Sequence, residues 1–425
     1  MRVGENYCPG ILHAVPAKDG MLMRIRVPGG LISAHQLGTV ASLSTDFADG
    51  QIEITSRANL QLRAMEARNL PAIVEALSAA DFLPSREHDR VRNIATSPLT
   101  GLAPEEAIDT RLLVSELDRR LIVDKRLVEL HPKFSFGIYG GGTLFSREQD
   151  DLALHAHEHS GLFQIFIGRL DTGHAVSCDQ AVDCLLDAAR LCIKLAKQNG
   201  LPIRGRNLIS VPELIQTMIE ELSPLLQSSP SYEVAPATTL APIGLNPAID
   251  ASKRIIIPAV ALGRLTSRQT ELLAHLAAEH SGDLRLAPWR GIVLGAVALE
   301  RATDVVARLE AVGLNLDERD GYHGMAACAG TTGCDASLAD VRGDAQQIAL
   351  RLSGRSPVSQ WTVNLSGCEK QCAMRHGAMA ELVGTASGYL LRLNGQTVPP
   401  TCSPEDAIDL VVAAHNALHS EAAPS

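Results

Sequence analysis

The sequence predicts a mixed fold of the α+β or α/β class, with two or three domains. Segments that alternate apolar and polar residues, as strands do, are interspersed with segments that have the period of about 3.6 residues typical of amphipathic helices. The length of 425 residues exceeds that of one ordinary domain. One helix-and-strand pattern also occurs twice, which indicates an internal duplication.

The duplicated pattern consists of a helix, two alternating strands around a turn, and a second helix. Its first copy lies at about 31–80 and its second copy at about 263–312. When the copies are counted from Gly50 and Gly282, four apolar strand positions coincide: Ile52 with Leu284, Ile54 with Leu286, Leu60 with Ile292, and Leu62 with Leu294. We expect the two copies to pair about a pseudo-twofold axis.

The other elements follow from local periodicity. Residues 21–28 alternate as a strand would, and the alternation places Arg24 and Arg26 on one face. A stretch at 223–250, rich in Ser, Pro and Ala, is typical of a linker. The remaining pattern predicts helices and strands at these positions: helices at 105–121, 179–199, 338–352 and 404–420, and strands at 151–157 and 162–169.

Composition argues against several classes of protein. A net charge of −10 and an aromatic content of 3% are unfavourable for binding nucleic acid. No run of about 18 apolar residues is present, so we expect no membrane span. The first 20 residues lack a basic stretch followed by an apolar one, so we expect a cytoplasmic protein. Nine cysteines without export favour thiolate ligands over disulfides.

Four cysteines form two pairs late in the chain, each beside glycine. Cys328 and Cys334 have five residues between them, and Cys368 and Cys372 have three. Thiolates bind zinc, copper(I) or iron–sulfur clusters. Structural zinc usually takes pairs separated by about two to four residues, and the first pair is wider. The pattern favours a 4Fe–4S cluster, with zinc or ordinary buried thiols as the alternatives.

Basic residues in four segments are candidates for a binding site. Lys133 lies in the apolar stretch 127–138, where a lysine needs a partner or a pocket, although an edge strand would also accommodate it. Arginine presents a planar fork that binds carboxylates through two hydrogen bonds. Six arginines are candidates for this role, with a solvated strand face as the alternative: Arg57, Arg63, Arg24, Arg26, Arg204 and Arg206.

Three alternating histidines, His155, His157 and His159, share one face of a predicted strand. Imidazoles bind iron or zinc, but neighbours on one strand face rarely converge on one ion, so a polar strand face is the main alternative. The glycine run at 140–142 does not open a helix after a strand as a dinucleotide-binding motif does. We therefore expect electrons to come from an external donor or a partner protein.

The order of these motifs resembles the sirohaem-dependent nitrite and sulfite reductase superfamily over nearly the whole chain. The resemblance is carried by the following segments: Thr-Ser-Arg-Ala-Asn-Leu-Gln-Leu-Arg at 55–63, Arg92-Asn93, Pro132-Lys133-Phe134 and Gly-Cys-Glu-Lys-Gln-Cys-Ala at 367–373. With Cys-Pro-Gly at 8–10 and its short length, the chain is similar to the precorrin-3B synthase family of aerobic cobalamin biosynthesis.

The resemblance implies an α+β fold of the nitrite/sulfite reductase type. Duplicated ferredoxin-like half-domains would be joined by two α/β domains that bind cofactor and substrate. The implied bounds are 1–82 and 240–312 for the half-domains, 83–230 for the middle domain, and 313–425 for the iron–sulfur cluster domain.

The resemblance also implies a site. The four paired cysteines would hold a 4Fe–4S cluster, and Cys372 would bridge to the haem iron if the protein were a sirohaem enzyme. The cations around the distal pocket of the superfamily correspond to Arg57, Arg92 and Lys133. The reductases commonly have a second lysine two residues later, where this chain has Ser135. The loss of that cation favours a relative with different chemistry.

The implied activity is that of a monooxygenase. It would hydroxylate precorrin-3A with dioxygen and form a γ-lactone from the ring A acetate. The partners would be a polycarboxylate tetrapyrrole substrate, dioxygen, and an external electron donor such as NADH acting through a reductase. The family is also described with a mononuclear non-haem iron. One alternative is a sirohaem nitrite or sulfite reductase, and another is a non-catalytic iron–sulfur protein that binds tetrapyrroles.

Overall fold

The computed structural model describes residues 8–144, 148–157, 160–229, 232, 240–280, 282–358, 361–374 and 377–422. Helices and strands alternate along these ranges. The helices are, in chain order, α1 (Ala34–Phe47), α2 (Leu70–Ala79), α3 (Arg111–Leu121), α4 (Ala181–Gln198), α5 (Gly205–Leu208), α6 (Pro212–Leu222), α7 (Ser267–His280), α8 (Leu299–Glu310), α9 (Gly330–Gly333), α10 (Val341–Leu352) and α11 (Pro404–Ala422).

The strands form four sheets. In chain order they are β1 (Val15–Ala17), β2 (Gly20–Ile25), β3 (Leu31–Ile32), β4 (Gln51–Ile54), β5 (Leu60–Met65), β6 (Ile94–Ala95), β7 (Phe136–Tyr139), β8 (Leu152–Ala156), β9 (Leu162–Ile167), β10 (Leu170–Ser177), β11 (Gln227–Ser228), β12 (Gly244–Pro247), β13 (Lys253–Ile257), β14 (Arg264–Thr266), β15 (Asp283–Ala287), β16 (Gly291–Ala298), β17 (Met325–Ala327), β18 (Val363–Ser366), β19 (Ala380–Thr385), β20 (Gly388–Leu393) and β21 (Gln396–Cys402).

The two copies of the repeat form one sheet each, and each sheet includes a short strand from the other copy. The strand orders are β1-β2-β5-β4-β14 and β12-β13-β16-β15-β3. Strand β14 of the second copy pairs antiparallel with β4, and β3 of the first copy pairs antiparallel with β15. Helices α1 and α7 pack against each other. This reciprocal exchange confirms the duplication and the mixed fold expected from the sequence.

The same local signals build both copies. The side chain of Ser33 accepts a hydrogen bond from the Gln36 amide at 3.1 Å, and the Gln36 side chain accepts one from the Ser33 amide at 3.1 Å. Thr266 and Gln269 make the same reciprocal pair before α7, at 3.2 and 2.9 Å. Such a capping box supplies partners for amides that a helix start leaves unpaired.

A single hydrophobic core joins the copies. All four coincident pairs of apolar residues noted in the sequence are buried, and the eight residues belong to one cluster. Because strand side chains alternate between faces, the neighbouring residues point out of this core and toward the other two domains. Those outward faces are where the repeats position functional groups.

The other two sheets are mixed and flanked by helices. The middle sheet has the order β11-β10-β9-β8-β7-β6, with β6, β7 and β8 parallel, and α4 buries twelve residues in its core. The last sheet has the order β17-β18-β19-β20-β21, with β17, β18 and β19 parallel. The carboxyl ends of parallel neighbours meet at one edge of a sheet, which is where functional loops gather.

Several predicted elements are shorter in the structure, and in two of them the cause is visible. The helix expected at 105–121 begins at Arg111, because the side chain of Thr100 accepts the Thr110 amide at 2.8 Å and holds the preceding residues in a loop. The strand expected at 21–28 ends at Ile25, shortly before Pro28 and a left-handed Gly29 (φ +64°). The domain bounds stay predictions. Within the described residues, no helix is both long and apolar enough to cross a membrane.

Candidate functional site

The four paired cysteines lie in neighbouring loops of the last sheet. Cys328 follows β17 and Cys368 follows the adjacent parallel strand β18, so both leave the same edge. The Gly367 amide donates a hydrogen bond to Cys328 Sγ at 3.3 Å, which ties the two loops together. Cys334 ends the short turn α9, and Cys372 lies four residues after Cys368.

The loops approach each other too closely for larger residues. A Cβ atom on Gly367 would lie 1.8 Å from Ser337 Oγ, and one on Gly384 would lie 2.7 Å from the Gly367 carbonyl oxygen. None of the nine cysteines, all of which fall within the described residues, forms a disulfide. A soft donor set with an amide hydrogen bond to sulfur fits an iron–sulfur cluster. Among the described residues, no three His, Cys, Asp or Glu side chains are arranged around a single metal ion.

The first copy contacts the loop that carries the first cysteine pair. Lys18 Nζ donates to the Thr331 carbonyl at 2.6 Å. Arg63 donates to the carboxylate of Asp19 at 2.9 and 3.0 Å and to the Gly333 carbonyl at 2.5 Å. Arg63 is 5% exposed. It is therefore a buried anchor for the residue next to Cys334, which differs from both roles considered from the sequence.

The second copy contacts the loop that carries the second pair. Arg290 lies in the turn between β15 and β16 with a left-handed backbone (φ +66°), and its guanidinium donates to the Ala373 carbonyl beside Cys372. Burial lowers the pKa of Arg290, while the nearby Glu53, Glu148 and Cys328 act in the opposite direction. Arg290 was not among the candidates expected from the sequence. The correspondence between the copies could have indicated it, because Arg290 occupies the place of Ala58, next to the candidate Arg57.

A cavity of about 300 Å³ lies between the second copy, the cysteine-bearing sheet and the middle domain. Its wall includes three arginines, Arg169 and Arg206 from the middle domain and Arg290 from the second copy. Trp289 and Met374 supply apolar surface. A volume of this order is within the range of ligand sites, and the arginines suit a ligand with several carboxylates.

Arg57 contacts two residues that line this cavity, Glu148 and Gln149. Its guanidinium donates to Asp150 Oδ1 at 3.4 Å and to the Gln149 carbonyl at 3.3 Å, and it lies 3.8 Å from a carboxylate oxygen of Glu148. Glu148 and Gln149 line the cavity. The side chain of Arg57 is 22% exposed.

The other two predicted cations lie apart from the cavity. Arg92 is buried and donates twice to the carboxylate of Asp118 on α3, at 2.8 and 2.6 Å, and once to the Phe82 carbonyl at 3.0 Å. Lys133 is exposed. Arg57, Arg92 and Lys133 are not among the described residues that line the cavity. The structure thus does not gather the three cations into one pocket.

Of the four further arginine candidates, Arg206 lines the cavity. Arg204 donates to both oxygens of Asp151 at 2.9 and 3.0 Å. Arg26 is buried and donates to Asn93 Oδ1 at 2.9 Å, joining the first copy to the middle domain. Arg24 donates to Gln61 on the neighbouring strand at 3.2 Å.

Of the three alternating histidines, the two that the structure describes, His155 and His157, contact different partners. His155 stacks against Tyr139 and Phe166, with ring centroids at 4.8 and 5.1 Å, and burial lowers its pKa to about 4. His157 contacts Gln164 at 2.9 Å and lies over Tyr232 at 4.8 Å. His159 lies outside the described residues. These contacts give no support to an iron bound by this row of histidines.

Comparison with known families matches both copies of the repeat. The family description Nitrite/Sulfite reductase ferredoxin-like half domain fits residues 13–80 and 250–312. The duplicated ferredoxin-like half-domains expected from the sequence are thereby confirmed. The chain is also similar in fold to the structure of Mycobacterium tuberculosis NirA protein, with a TM-score of 0.76 and 21% identity over 92% of this chain and 79% of that one.

Curated relatives align over most of the chain. A precorrin-3B synthase from Sinorhizobium sp is 26% identical, covering 91% of this chain and 82% of the relative. A sulfite reductase [ferredoxin] 2 from Mycolicibacterium paratuberculosis is 27% identical over 88% of this chain and 73% of the relative. A ferredoxin–nitrite reductase from Synechococcus elongatus is 26% identical over 90% and 79%. These relatives are oxidoreductases of different specificity at similar identity.

The half-domain matches agree with the duplicated unit described above, and the structural comparison agrees with the mixed fold. Over most of its length the chain is similar to nitrite and sulfite reductases and to a precorrin-3B synthase.

Proposed function

We propose that the protein is a precorrin-3B synthase, a monooxygenase that acts on precorrin-3A with dioxygen. The observation that supports this most directly is the arginine-lined cavity beside the Cys372 loop. Precorrins are flat macrocycles with many carboxylates. A cavity with cations on several sides and an apolar wall matches that combination of charge and shape.

In this proposal the arginines of the cavity bind the carboxylates of the substrate, and Trp289 packs against its macrocycle. Arg169, Arg206 and Arg290 would each bind a carboxylate through paired N–H groups. Trp289 would pack against the macrocycle, and its buried Nε1–H, which has no hydrogen-bond partner among the described residues, is available to a substrate oxygen. A substrate held at several points would react in one orientation, which a regiospecific hydroxylation requires.

The four paired cysteines would hold a 4Fe–4S cluster in this proposal. When bound, such a cluster supplies electrons one at a time. The Gly367 amide and the buried guanidinium of Arg290 would stabilise negative charge at the thiolates. The mononuclear non-haem iron expected for this family remains part of the proposal without assigned ligands.

The overall reaction defines what else the protein needs. One atom of dioxygen enters the substrate as a hydroxyl group, and the other leaves as water after accepting two electrons and two protons. The hydroxyl oxygen and a carboxyl oxygen of the ring A acetate add to the two carbons of one macrocycle double bond, which becomes a single bond. The acid proton is retained on the hydroxyl, so the γ-lactone closes without loss of water. The electrons come from an external donor, such as NADH through a reductase partner.

The second candidate is a sirohaem-dependent nitrite or sulfite reductase. It is favoured by the reductases among the relatives, whose identity to this chain is as high as that of the precorrin-3B synthase. In that case the cavity would hold the haem itself, and a small oxyanion would be the substrate.

The test is cofactor analysis of protein purified without air, followed by turnover. We expect acid-labile sulfide with at least as much iron, no haem in an acid–acetone extract, and conversion of precorrin-3A with dioxygen to a product one oxygen atom heavier. Cys368→Ser should lose the cluster absorption and the sulfide. Cys402→Ser is the matched control, since Cys402 ends β21 outside the cysteine loops and should keep both.

Two results would contradict the proposal. Extraction of sirohaem together with reduction of nitrite or sulfite would make the reductase the function. Bound zinc without iron or sulfide would exclude both candidates.

A further inference from the structure

We infer that Glu148 and Asp150 determine the specificity of this site by neutralising Arg57, so that the site rejects small oxyanions such as nitrite and sulfite. The inference rests on the proposed function in one respect, that Arg57 borders the reaction site. It goes beyond that function by naming two residues, Glu148 and Asp150, that would prevent an oxyanion from binding to Arg57.

The first observation is the set of groups around the Arg57 guanidinium. Asp150 Oδ1 accepts a hydrogen bond at 3.4 Å and the Gln149 carbonyl accepts another at 3.3 Å. A carboxylate oxygen of Glu148 lies 3.8 Å from the guanidinium. Three consecutive residues therefore surround Arg57 with acceptors. An oxyanion would have to displace these groups before it could bind the guanidinium.

The second observation is that Asp150 is fixed in place. Its second oxygen accepts the Tyr139 hydroxyl at 2.5 Å, and its side chain is only 4% exposed. Both carboxylate oxygens thus accept hydrogen bonds, as the ionised form does. Burial raises the pKa of Asp150, while Arg57 and Tyr139 favour its charged form. Such a buried carboxylate cannot turn away from Arg57 when an anion approaches.

The third observation is the balance of charge in the surrounding cluster. Arg204 donates to both oxygens of Asp151, and Arg206 lies 3.9 Å from Asp151. Three arginines and three carboxylates then lie together: Arg57, Arg204 and Arg206 with Glu148, Asp150 and Asp151. The formal charges cancel. This neutral cluster offers no net attraction to a small anion that approaches Arg57, whereas uncharged dioxygen needs none. Arg169 and Arg290 lie outside the cluster and remain for the substrate carboxylates.

Ser135 belongs to the same arrangement. It is 1% exposed, and its amide donates to Asp151 Oδ2 at 3.1 Å. Ser135 occupies the position where the resemblance leads one to expect a lysine, and a lysine here would add a positive charge to the cluster. The serine and the two carboxylates therefore act in the same direction.

The inference is tested by anion binding to anaerobically purified holoprotein, measured by isothermal titration calorimetry with sodium nitrite and with sodium sulfite at fixed ionic strength. We expect no saturable binding by the unaltered protein at millimolar anion. Glu148→Gln and Asp150→Asn each free one guanidinium charge, and we expect both variants to bind both anions at least about tenfold more tightly than the limit that the titration sets for the unaltered protein. Asp183→Asn is the matched control, since it removes a carboxylate paired with Arg120 at 2.6 Å on the surface of the same domain.

The outcomes separate this inference from the proposed function. Unchanged anion affinity in folded Glu148→Gln protein would overturn the inference, and it would leave precorrin turnover as an independent result. Glu148 is 31% exposed, so this variant decides the question even if the buried Asp150→Asn change unfolds the protein. Micromolar binding of nitrite or sulfite by the unaltered protein would overturn the inference and the proposed function together.

Discussion

The two copies of the repeat share one backbone conformation but differ in the side chains on their outward faces. The residues Ala58 and Arg290, and likewise Ala64 and Ala296, have left-handed backbones at corresponding places in the two sheets, with φ between +52° and +66°. Each copy also has a capping box before its first long helix. The correspondence therefore extends from the apolar pattern to individual backbone angles.

The outward faces differ in chemistry. In the first copy they carry Arg24, Arg26, Gln61 and Arg63. Arg24 donates to Gln61 within the sheet, Arg26 reaches the middle domain, and Arg63 reaches the Cys334 loop. In the second copy the corresponding face is mainly apolar and is covered by a loop of the middle domain, with these residues in one cluster: Ile255, Ile257, Ala287, Val293, Leu99, Leu102 and Ala103. The same fold thus has a charged outward face in the first copy and an apolar packing face in the second.

The difference shows which positions of a duplicated unit are free to change. The inward residues of both copies form one core, so a change of side-chain size or polarity in either copy would disturb the packing of both. Outward residues meet different neighbours, and each copy has adapted to its own. The largest contrast is at Glu53 and Arg285, which occupy the same strand position with opposite charge.

The first prediction concerns that pair and the largest expected effect. Arg285 is fully buried and donates to both oxygens of Asp283 and to the carbonyls of Pro98 and Thr100. Arg285→Met should lower the free energy of unfolding by about 3 kcal/mol, because it leaves a carboxylate and two buried carbonyls without their donor. The readout is the shift of the apparent unfolding midpoint in urea.

The equivalent change in the first copy should cost less. Glu53 interacts with Arg264 and Arg342, which are 26% and 20% exposed and can turn to water. We expect Glu53→Met to lower the free energy of unfolding by about 1 kcal/mol. Equal losses in the two variants would show that the faces contribute alike, contrary to the comparison above.

The second prediction uses the two glycines that precede the exchanged strands. Gly30 and Gly263 have φ of +69° and +72°. A Cβ atom would lie 2.4 Å from the Leu286 carbonyl oxygen at Gly30, and 2.6 Å from Arg290 Cβ at Gly263. Because each glycine has a left-handed backbone, replacement by alanine should lower the free energy of unfolding by about 1–2 kcal/mol before any steric contact is counted.

The contact at Gly30 is with backbone, whereas that at Gly263 is with a side chain. Gly30→Ala should therefore be the more destabilising of the two, as measured by differential scanning calorimetry. Gly200→Ala provides a control for the backbone term, since Gly200 has φ of +64° and open space around it. Losses no greater than that of the control would mean that neither close approach constrains the exchanged strands.

The third prediction compares pH responses and has the smallest expected effect. Burial raises the pKa of Asp49, which follows α1, although Arg264 lies 3.5 Å away. A hydrogen bond from Arg308 lowers the pKa of Glu279 on α7. The folded state thus binds more protons at Asp49 than the unfolded chain does, and fewer at Glu279. The contribution of Asp49 favours folding at low pH and fades as pH rises, whereas that of Glu279 is present at neutral pH and fades as pH falls.

At pH 7, Asp49→Asn should raise the melting temperature and Glu279→Gln should lower it, each by on the order of one degree. Both differences should shrink at pH 4. Calorimetric melting temperatures at the two pH values provide the measurement. Shifts of the same sign in both variants would contradict the opposite electrostatic surroundings of these carboxylates.

Local patterns in the amino-acid sequence were enough to predict the duplicated unit, most of its strands and helices, and the paired cysteines. Those features are local, since alternation, capping residues and turn glycines act within a few residues of each other. It misplaced the start of α3, because a side chain ten residues earlier in the chain, Thr100, holds the preceding loop. The resemblance to a superfamily came from the same short motifs.

The roles of the cations depend on contacts that form when the chain folds. Arg57, Arg92 and Arg63 look alike in the sequence, yet Arg92 is buried against Asp118, Arg63 anchors the Cys334 loop, and Arg57 is neutralised at the cavity wall. Apart from Phe82, which is 10 residues from Arg92, the partners of these arginines lie between 26 and 270 residues away in the chain. The electrostatic role of a charge depends on what folding brings within a few ångströms of it, and local sequence patterns carry no record of those distant partners.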